Sequence, residues 1–157
     1  MTHIHLTTFI SAPVWTVFDL SRSIDLHKIS TAHTDERAVD GIVQGLINES
    51  ETVTWEAKHL FRKRHFTSQI EKMVRPDHFI DVMIKGDFKS FRHEHYFKHV
   101  DNGTIMIDQV EFESPYGILG RWVNRYYLKN YITQLLLKRN SVIKEFAESE
   151  KWKTILS

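Results

Sequence analysis

The stretch FKSFRHEHYFKHVDNGTIMIDQVEF, Phe88 to Phe112, reads as two alternating strands joined at Asn102-Gly103. An Asn-Gly pair between alternating apolar residues is the strongest short-range hairpin signal, because both central turn residues need φ > 0. A two-residue loop there sets a register in which Asp101 faces Thr104, His99 faces Met106, Phe97 faces Asp108, His95 faces Val110 and His93 faces Phe112. Side chains alternate along a strand. One face of the ribbon therefore collects Phe91, His93, His95, Phe97, Met106, Asp108, Val110 and Phe112. The other collects Arg92, Glu94, Tyr96, Lys98, Gln109 and Glu111, a solvent face. Histidines and a carboxylate stand on the apolar side, and that placement is what the rest of the chain has to explain.

Working back from the hairpin, His78 to Lys85 reads as a strand joined to it at Gly86-Asp87, and His65 to Val74 as another before the Arg75-Pro76-Asp77 turn. The register of the His78–Lys85 strand stays open. A strict two-residue loop sets Val82 opposite Phe91, whereas a bulged loop sets Asp81 opposite His93, and a one-residue slip exchanges the two faces. Thr52 to Leu60 alternates with Val53, Trp55, Ala57 and His59 on one side. Arg62-Lys63-Arg64 reads as a solvated basic turn or strand end. Ile42 to Ile47 is expected to be the second strand, and residues 3–10 the first. Between these two, Ser11-Ala12-Pro13 opens a short helix carrying Val14, Val17 and Phe18, since Ser caps and Pro suits the first turn. Ser21 to Ser30 reads as a second short helix. The polar run Thr31 to Asp40 is expected to be a loop long enough to cover something, with Glu36 in it as either a gate residue or a surface acid.

Beyond Ser114-Pro115 the period becomes helical. Leu128, Ile132, Leu135, Arg139, Val142 and Phe146 form one stripe, with Leu136 and Ile143 alongside, long enough to lie across a sheet. Arg139 is the charge in that apolar row. Leu119, Trp122, Val123 and Tyr126, with Leu137, lie roughly opposite at 100° per residue. One helix does not bury both faces on one sheet, so the first turns either fold over a pocket or meet a partner chain, as a homodimer patch or as a protein-interaction module with the cavity incidental.

A length of 157 residues predicts one domain, 1–157, with a core that needs no staples. A net charge of +1 argues against nucleic acid as the partner. There is no cysteine, hence no thiol chemistry or disulfide frame. The N-terminus lacks a basic region and a long apolar run, and no stretch approaches the ~18 apolar residues of a membrane span. A cytoplasmic protein without stable membrane insertion is expected.

The order of one strand, two short helices, six antiparallel strands and one long helix predicts an α+β fold. Its curved seven-stranded antiparallel sheet would wrap around the C-terminal helix and leave a hollow. This order resembles the helix-grip fold of the START/Bet v 1-like (SRPBCC) superfamily. The resemblance rests on Ile10-Ser11-Ala12-Pro13, on Gly45-Leu46-Ile47, on the run Thr52 to His59, and on Gly86 and Phe88. It rests also on His93-Glu94-His95, on Asp108, and on the run Ser114 to Arg121. Within the superfamily these residues resemble a bacterial ligand-binding branch related to polyketide cyclase/dehydrase and coenzyme Q-binding START-like proteins. The resemblance implies that Trp55, His59, His93, His95 and Asp108 line the hollow. It also implies a hydrophobic small molecule (lipid, polyketide or quinone-like) that is bound, carried or sensed.

The candidate ligand-binding set is Trp55, His59, Asp81, Phe91, His93, His95, Phe97, Asp108, Phe112, Tyr127, Tyr131 and Arg139. Rings on one strand face, two residues apart, offer hydrogen bonds to a ligand's polar end. The aromatics read first as core, and in excess as the wall of a cavity for a flat or polyprenyl-like molecule. Asp108, if buried, needs a partner, either a histidinium or Arg139, and reads first as an ion pair joining helix to sheet. If the protein is an enzyme of cyclase or dehydratase type, His95 and Asp108 are its acid–base pair. His93-x-His95 with His59 and Asp108 has the donor types for zinc or iron, but no metal and no cofactor are expected.

Overall fold

The computed structural model describes residues 1–59, 62–114 and 123–157. Strand β1 (Thr2–Ile10) leads into helices α1 (Val14–Ser21) and α2 (Ile24–Ser30), then a single helical turn, Ala32–Thr34. Six further strands follow: β2 (Arg37–Gly41), β3 (Thr52–His59), β4 (Arg62–Val74), β5 (His78–Lys85), β6 (Ser90–Val100) and β7 (Gly103–Glu113). A wide helical turn, Val123–Leu128, continues into the long helix α3 (Lys129–Glu148), and the chain closes with the turn Glu150–Trp152 and α4 (Lys153–Leu156). Pro13 precedes α1 in extended conformation, and the Ser23 hydroxyl accepts from the Leu26 N–H at 3.1 Å to cap α2.

All seven strands form one antiparallel sheet in the order β1-β7-β6-β5-β4-β3-β2. With the long C-terminal helix packed on it, this is the expected helix-grip α+β architecture. The alternation read from the hairpin holds: His93, His95 and Phe97 on β6 and Thr104, Met106, Asp108, Val110 and Phe112 on β7 are buried. Apolar packing falls into two groups. Val142, Ile143 and Ala147 of α3 meet α1, α2 and the sheet, while Leu128, Ile132 and Leu136 meet Ile4, Val110 and Phe112. Arg139 and Asn140 lie on α3 between these groups, both buried.

The hairpin register differs from the expected one by two residues. Val100 pairs with Gly103, His95 with Asp108, His93 with Val110 and Phe91 with Phe112. An even shift preserves every face, so the inward set is unchanged. The turn positions are Asp101 and Asn102, and neither has φ > 0. Gly103 serves another purpose: a Cβ there would lie 2.3 Å from the Ile10 carbonyl oxygen, where β1 crosses close behind the turn.

The second strand also differs. It is Arg37–Gly41, within the expected polar loop, and Ile42 to Ile47 is not a strand. Gly41, at φ +75°, turns the chain off the sheet. The Ile24 N–H then bonds the Gly45 carbonyl at 2.9 Å, and the Ile47 N–H bonds the Arg22 carbonyl at 3.2 Å. The apolar run is used to pack beneath the short helices, with Ile47 in the core. The edge strand it displaces is largely solvent-exposed and needs no apolar alternation. Arg62, Lys63 and Arg64 belong to β4 itself, where Lys63 pairs with Glu56 and Arg64 with Asp87. On β5, the four residues from Gly86 to Lys89 separate the strands and Asp81 pairs with His93, the bulged alternative.

Candidate functional site

Between the sheet and α3 lies a cavity of about 410 Å³. Trp55 of β3, Phe79 of β5 and Phe91 of β6 supply rings from the sheet side, and Ile132, Leu135 and Leu136 supply the helix side. Tyr127 and Tyr131, one helical turn apart, stack with ring centroids 6.4 Å apart at its edge. Burial pushes the Tyr131 hydroxyl up from its ordinary value, and the neighbouring Tyr127 and Glu36 act in the same direction. Glu36 also lines the cavity, bonded to His27 at 2.7 Å, and the His27 ring lies 4.3 Å from that of Trp55. The residue read as a gate or a surface acid is therefore part of the rim.

One end of the cavity is polar. Asp81, His93 and His95 reach it from adjacent strands and Arg139 from the helix. Spacing on β6 makes the two imidazoles neighbours on one face, and they stack at 3.6 Å between centroids. Phe79 stacks on the other side of His95 at 4.0 Å. Behind them Asp108 is wholly buried and is the anchor of the network. Its Oδ1 accepts from His93 Nε2 at 2.7 Å and Arg139 Nη1 at 3.2 Å, and its Oδ2 accepts from Asn140 Nδ2 at 2.8 Å. Arg139 Nη2 donates to His95 Nδ1 at 3.2 Å, and His95 Nε2 meets Asp81 Oδ2 at 2.6 Å.

The hydrogens follow from these partners. Arginine only donates, so His95 Nδ1 is an acceptor and Nε2 carries the hydrogen given to Asp81. His93 Nε2, facing a carboxylate, is likewise the N–H. Burial, then the neighbouring His95, pull the His93 pKa below its ordinary value against the raising influence of Asp108. His93 is therefore neutral near pH 7, and its Nδ1 is an acceptor. Burial alone would raise the Asp108 carboxyl, but the Arg139 guanidinium and the hydrogen bond from His93 hold it well below the carboxylate range. Asp81 is similar: burial pushes it up, and the His95 hydrogen bond with the charges nearby outweighs that and lowers it.

Of the residues expected at the site, Trp55, Asp81, Phe91, His93 and His95 line the cavity from the sheet, and Tyr127, Tyr131 and Arg139 line it from the helix. Three stand behind the wall instead. Asp108 is covered by the His rings, while Phe97 packs against Phe18 and Phe79, and Phe112 against Phe88 and Phe91. The strand face predicts inward direction but not depth, and these side chains are spent on the core. His59 ends β3, and its side chain lies outside the described residues, as does the Leu119–Trp122 patch expected to form a lid or a dimer contact. Asn140 and Phe79 were not expected. Asn140 is invisible because it is off the apolar stripe by one position. Phe79 shares a strand face with Asp81, so fixing the β5 register would have revealed it.

Asp81, His93 and His95 bring one ligand atom each within 4.8 Å of one another, the donor types of a metal centre. The hydrogen-bond pattern does not fit that use. His95 Nε2 carries a hydrogen already bonded to Asp81, and Arg139 occupies the nitrogen to which that hydrogen would have to move.

No protein-family model matches the chain, and no curated protein matches it. Solved structures do. The Zhui aromatase/cyclase from Streptomyces sp. R1128 superposes with a TM-score of 0.74 at 12% identity, covering 94% of this chain and 93% of that one. A START superfamily protein from Mycobacterium smegmatis gives 0.70 at 11%, covering 91% and 97%. Ginseng major latex-like protein 151 from Panax ginseng gives 0.68 at 12%, covering 93% and 97%. At these identities the likeness is one of fold, and the chain has the START/Bet v 1 helix-grip fold. Among the described residues no helix is long and apolar enough to cross a membrane.

Proposed function

We propose that the protein binds an apolar small molecule of the lipid, polyketide or quinone-like kind in the cavity between sheet and α3, and carries or senses it. One observation supports this most: the cavity is about 410 Å³, walled by rings and aliphatic side chains, with polar groups gathered at one end. Ligand sites have this form, roughly 300–1,000 Å³ and mostly apolar with a few converging polar groups. A sealed void of that size would cost on the order of 10 kcal/mol by the cavity scaling of core substitutions. Water entering at the rim lessens that figure, but a purposeless hollow remains an expensive feature for a marginally stable domain. In this reading Trp55, Phe91, Tyr127 and Tyr131 hold the apolar body of the ligand, and Asp81, His93 and His95 meet its head. Arg139 and Asp108 position the rings.

The test is equilibrium titration of purified protein with 1-aminoanthracene, a neutral apolar fluorophore, beside native mass spectrometry of the protein as purified. Saturable binding is expected, weakened at least about tenfold by Ile132→Trp, which fills the cavity from the helix side. A folded protein that binds neither the fluorophore nor any co-purified molecule would end this reading.

A second reading, acid–base catalysis at the same cavity, rests on the His95–Asp81 contact of 2.6 Å at the cavity wall, and on a fold shared with an aromatase/cyclase. The pair would be His95 with Asp81, because Asp108 does not reach the cavity. Catalysis predicts that His95→Gln abolishes turnover of a poly-β-ketone with binding largely retained. Turnover absent in the unaltered protein would dispose of it.

A further inference from the structure

The polar end of the cavity is made of acceptors. Asp81 receives the His95 hydrogen on Oδ2, and among the described residues no protein donor meets its Oδ1. His93 gives its Nε2 hydrogen to Asp108, and no described residue donates to Nδ1. Both residues line the cavity, and neither atom belongs to the buried, unpartnered class, in which only the Ser90 hydroxyl falls among the described residues. They open onto the cavity side by side, because Asp81 and His93 are a directly paired position across β5 and β6. Among the described residues, the donors aimed at this end are already used. The two terminal nitrogens of Arg139, Nη1 and Nη2, are turned to Asp108, Asn140, His95 and the Ser21 carbonyl, and His95 Nε2 is turned to Asp81.

Charge points the same way. At this end two carboxylates, Asp81 and Asp108, face one guanidinium, Arg139. The other cations of the wall are matched to acids of their own: Arg22 to Asp19 and Arg64 to Asp87. His27 and His65 at the rim lie against Glu36 and Glu56. Among the described residues no cation is left over to receive an anionic ligand at the polar end, and a carboxylate there would sit against Asp81 in a poorly screened interior.

We propose that this end selects a head group that donates hydrogen bonds, an alcohol or phenol hydroxyl or an ammonium, and turns carboxylates away. The hydroxyl or ammonium would give its hydrogens to Asp81 Oδ1 and His93 Nδ1, the acceptors that the network leaves open among the described residues. The inference rests on the reading that an apolar molecule occupies the cavity. It narrows that molecule from any amphiphile to a neutral or cationic donor, and excludes free fatty acids as the preferred cargo.

The experiment is displacement of 1-aminoanthracene at neutral pH by three ligands with one chain and different heads: decanol, decylamine and decanoate. Decanol and decylamine are expected to displace the fluorophore at concentrations at least about tenfold lower than decanoate. Decylamine above decanol would mark the Asp81 charge as dominant, and equality of the two would mark hydrogen bonding as dominant; both orders support the proposal. Asp81→Asn is expected to improve decanoate and weaken decylamine. Decanoate equal to or tighter than decanol would overturn the proposal while leaving cavity binding intact. If the fluorophore itself fails to bind, it is the cavity reading that falls. Should the Asp81→Asn protein not fold, the order of the three ligands on the unaltered protein still decides.

Discussion

Arg139 Nη2 donates to His95 Nδ1 across 3.2 Å, from the helix to the sheet, and so decides which nitrogen of His95 carries hydrogen. A guanidinium has no lone pair to offer. The ring must accept on Nδ1 and donate from Nε2, and the residue that receives that hydrogen is Asp81. A charge that looks misplaced in an apolar helical stripe thus orients the wall of the cavity, and it neutralises Asp108 behind it with the same fork.

Removing that charge should be costly. Arg139→Met leaves Asp108 buried with its neutral donors but no counter-charge, and breaking a buried pair in this way typically costs about 3–5 kcal/mol. Urea denaturation at neutral pH should show a loss of that size. Arg139→Lys should lose less, keeping the charge but not the two-pronged geometry. Asp108→Asn introduced alongside Arg139→Met should recover part of the loss, since the uncompensated anion is gone. Independent, additive effects of the two substitutions would contradict the coupling.

The same network makes stability depend on pH. His93 has a depressed pKa in the fold, so below its ordinary value of about 6.5 the unfolded chain binds a proton that the native state resists. Its contribution is therefore intact above about 6.5 and declines as pH falls through the window beneath it. Asp108 and Asp81 follow the same sign at lower pH. Their folded pKa values lie below the ordinary 3.8, so their contribution is intact above that value and declines below it. Melting temperature should fall on acidification in two stages. His93→Gln should flatten the upper stage and leave the lower one. A melting temperature that rises between neutrality and pH ~5 would be inconsistent with a buried neutral His93.

Metal should not matter to this site. Binding through His95 Nε2 requires its hydrogen to leave, and Nδ1 is not open to it while Arg139 donates there. EDTA is expected to leave both melting temperature and fluorophore binding unchanged, and equimolar Zn²⁺ to leave them unchanged as well. A zinc-dependent rise in melting temperature that disappears in His93→Gln would mean that the network rearranges around a cation.

Parity carried much of what could be read from the sequence. The Asn-Gly reading places His93, His95 and Asp108 inward on a register that differs from the observed one by two, and the faces agree because two is even. The alternation of β3 and the stripe of α3 needed no register at all, since burial alone dictates their periods. What failed was local chemistry with more than one use. Ile42 to Ile47 has strand composition, but its backbone is spoken for by α2 and Arg22, a tertiary demand that composition does not encode. Depth was equally hidden. Asp108 and Asp81 are both carboxylates on inward faces, and only the packing of the His rings places one behind the wall and one in it.

Gly103 gives the two-residue register shift a direct test. Had Asn102-Gly103 formed the hairpin turn, both residues would need left-handed backbone and Asn102→Ala would be damaging. Asn102 has φ below zero, so Asn102→Ala should change stability by no more than about 0.5 kcal/mol. Gly103→Ala should cost much more, roughly 1–3 kcal/mol, because the new methyl meets the Ile10 carbonyl oxygen at 2.3 Å and the backbone sits at φ +156°. That contact joins the hairpin tip to the end of β1, where Thr104 also donates to the Ala12 carbonyl at 2.8 Å. Losing it should therefore raise amide exchange at Ser11 and Ala12 as well as in the turn. Equal costs for the two substitutions in denaturant titrations would restore the Asn-Gly turn and move the β6–β7 register back by two.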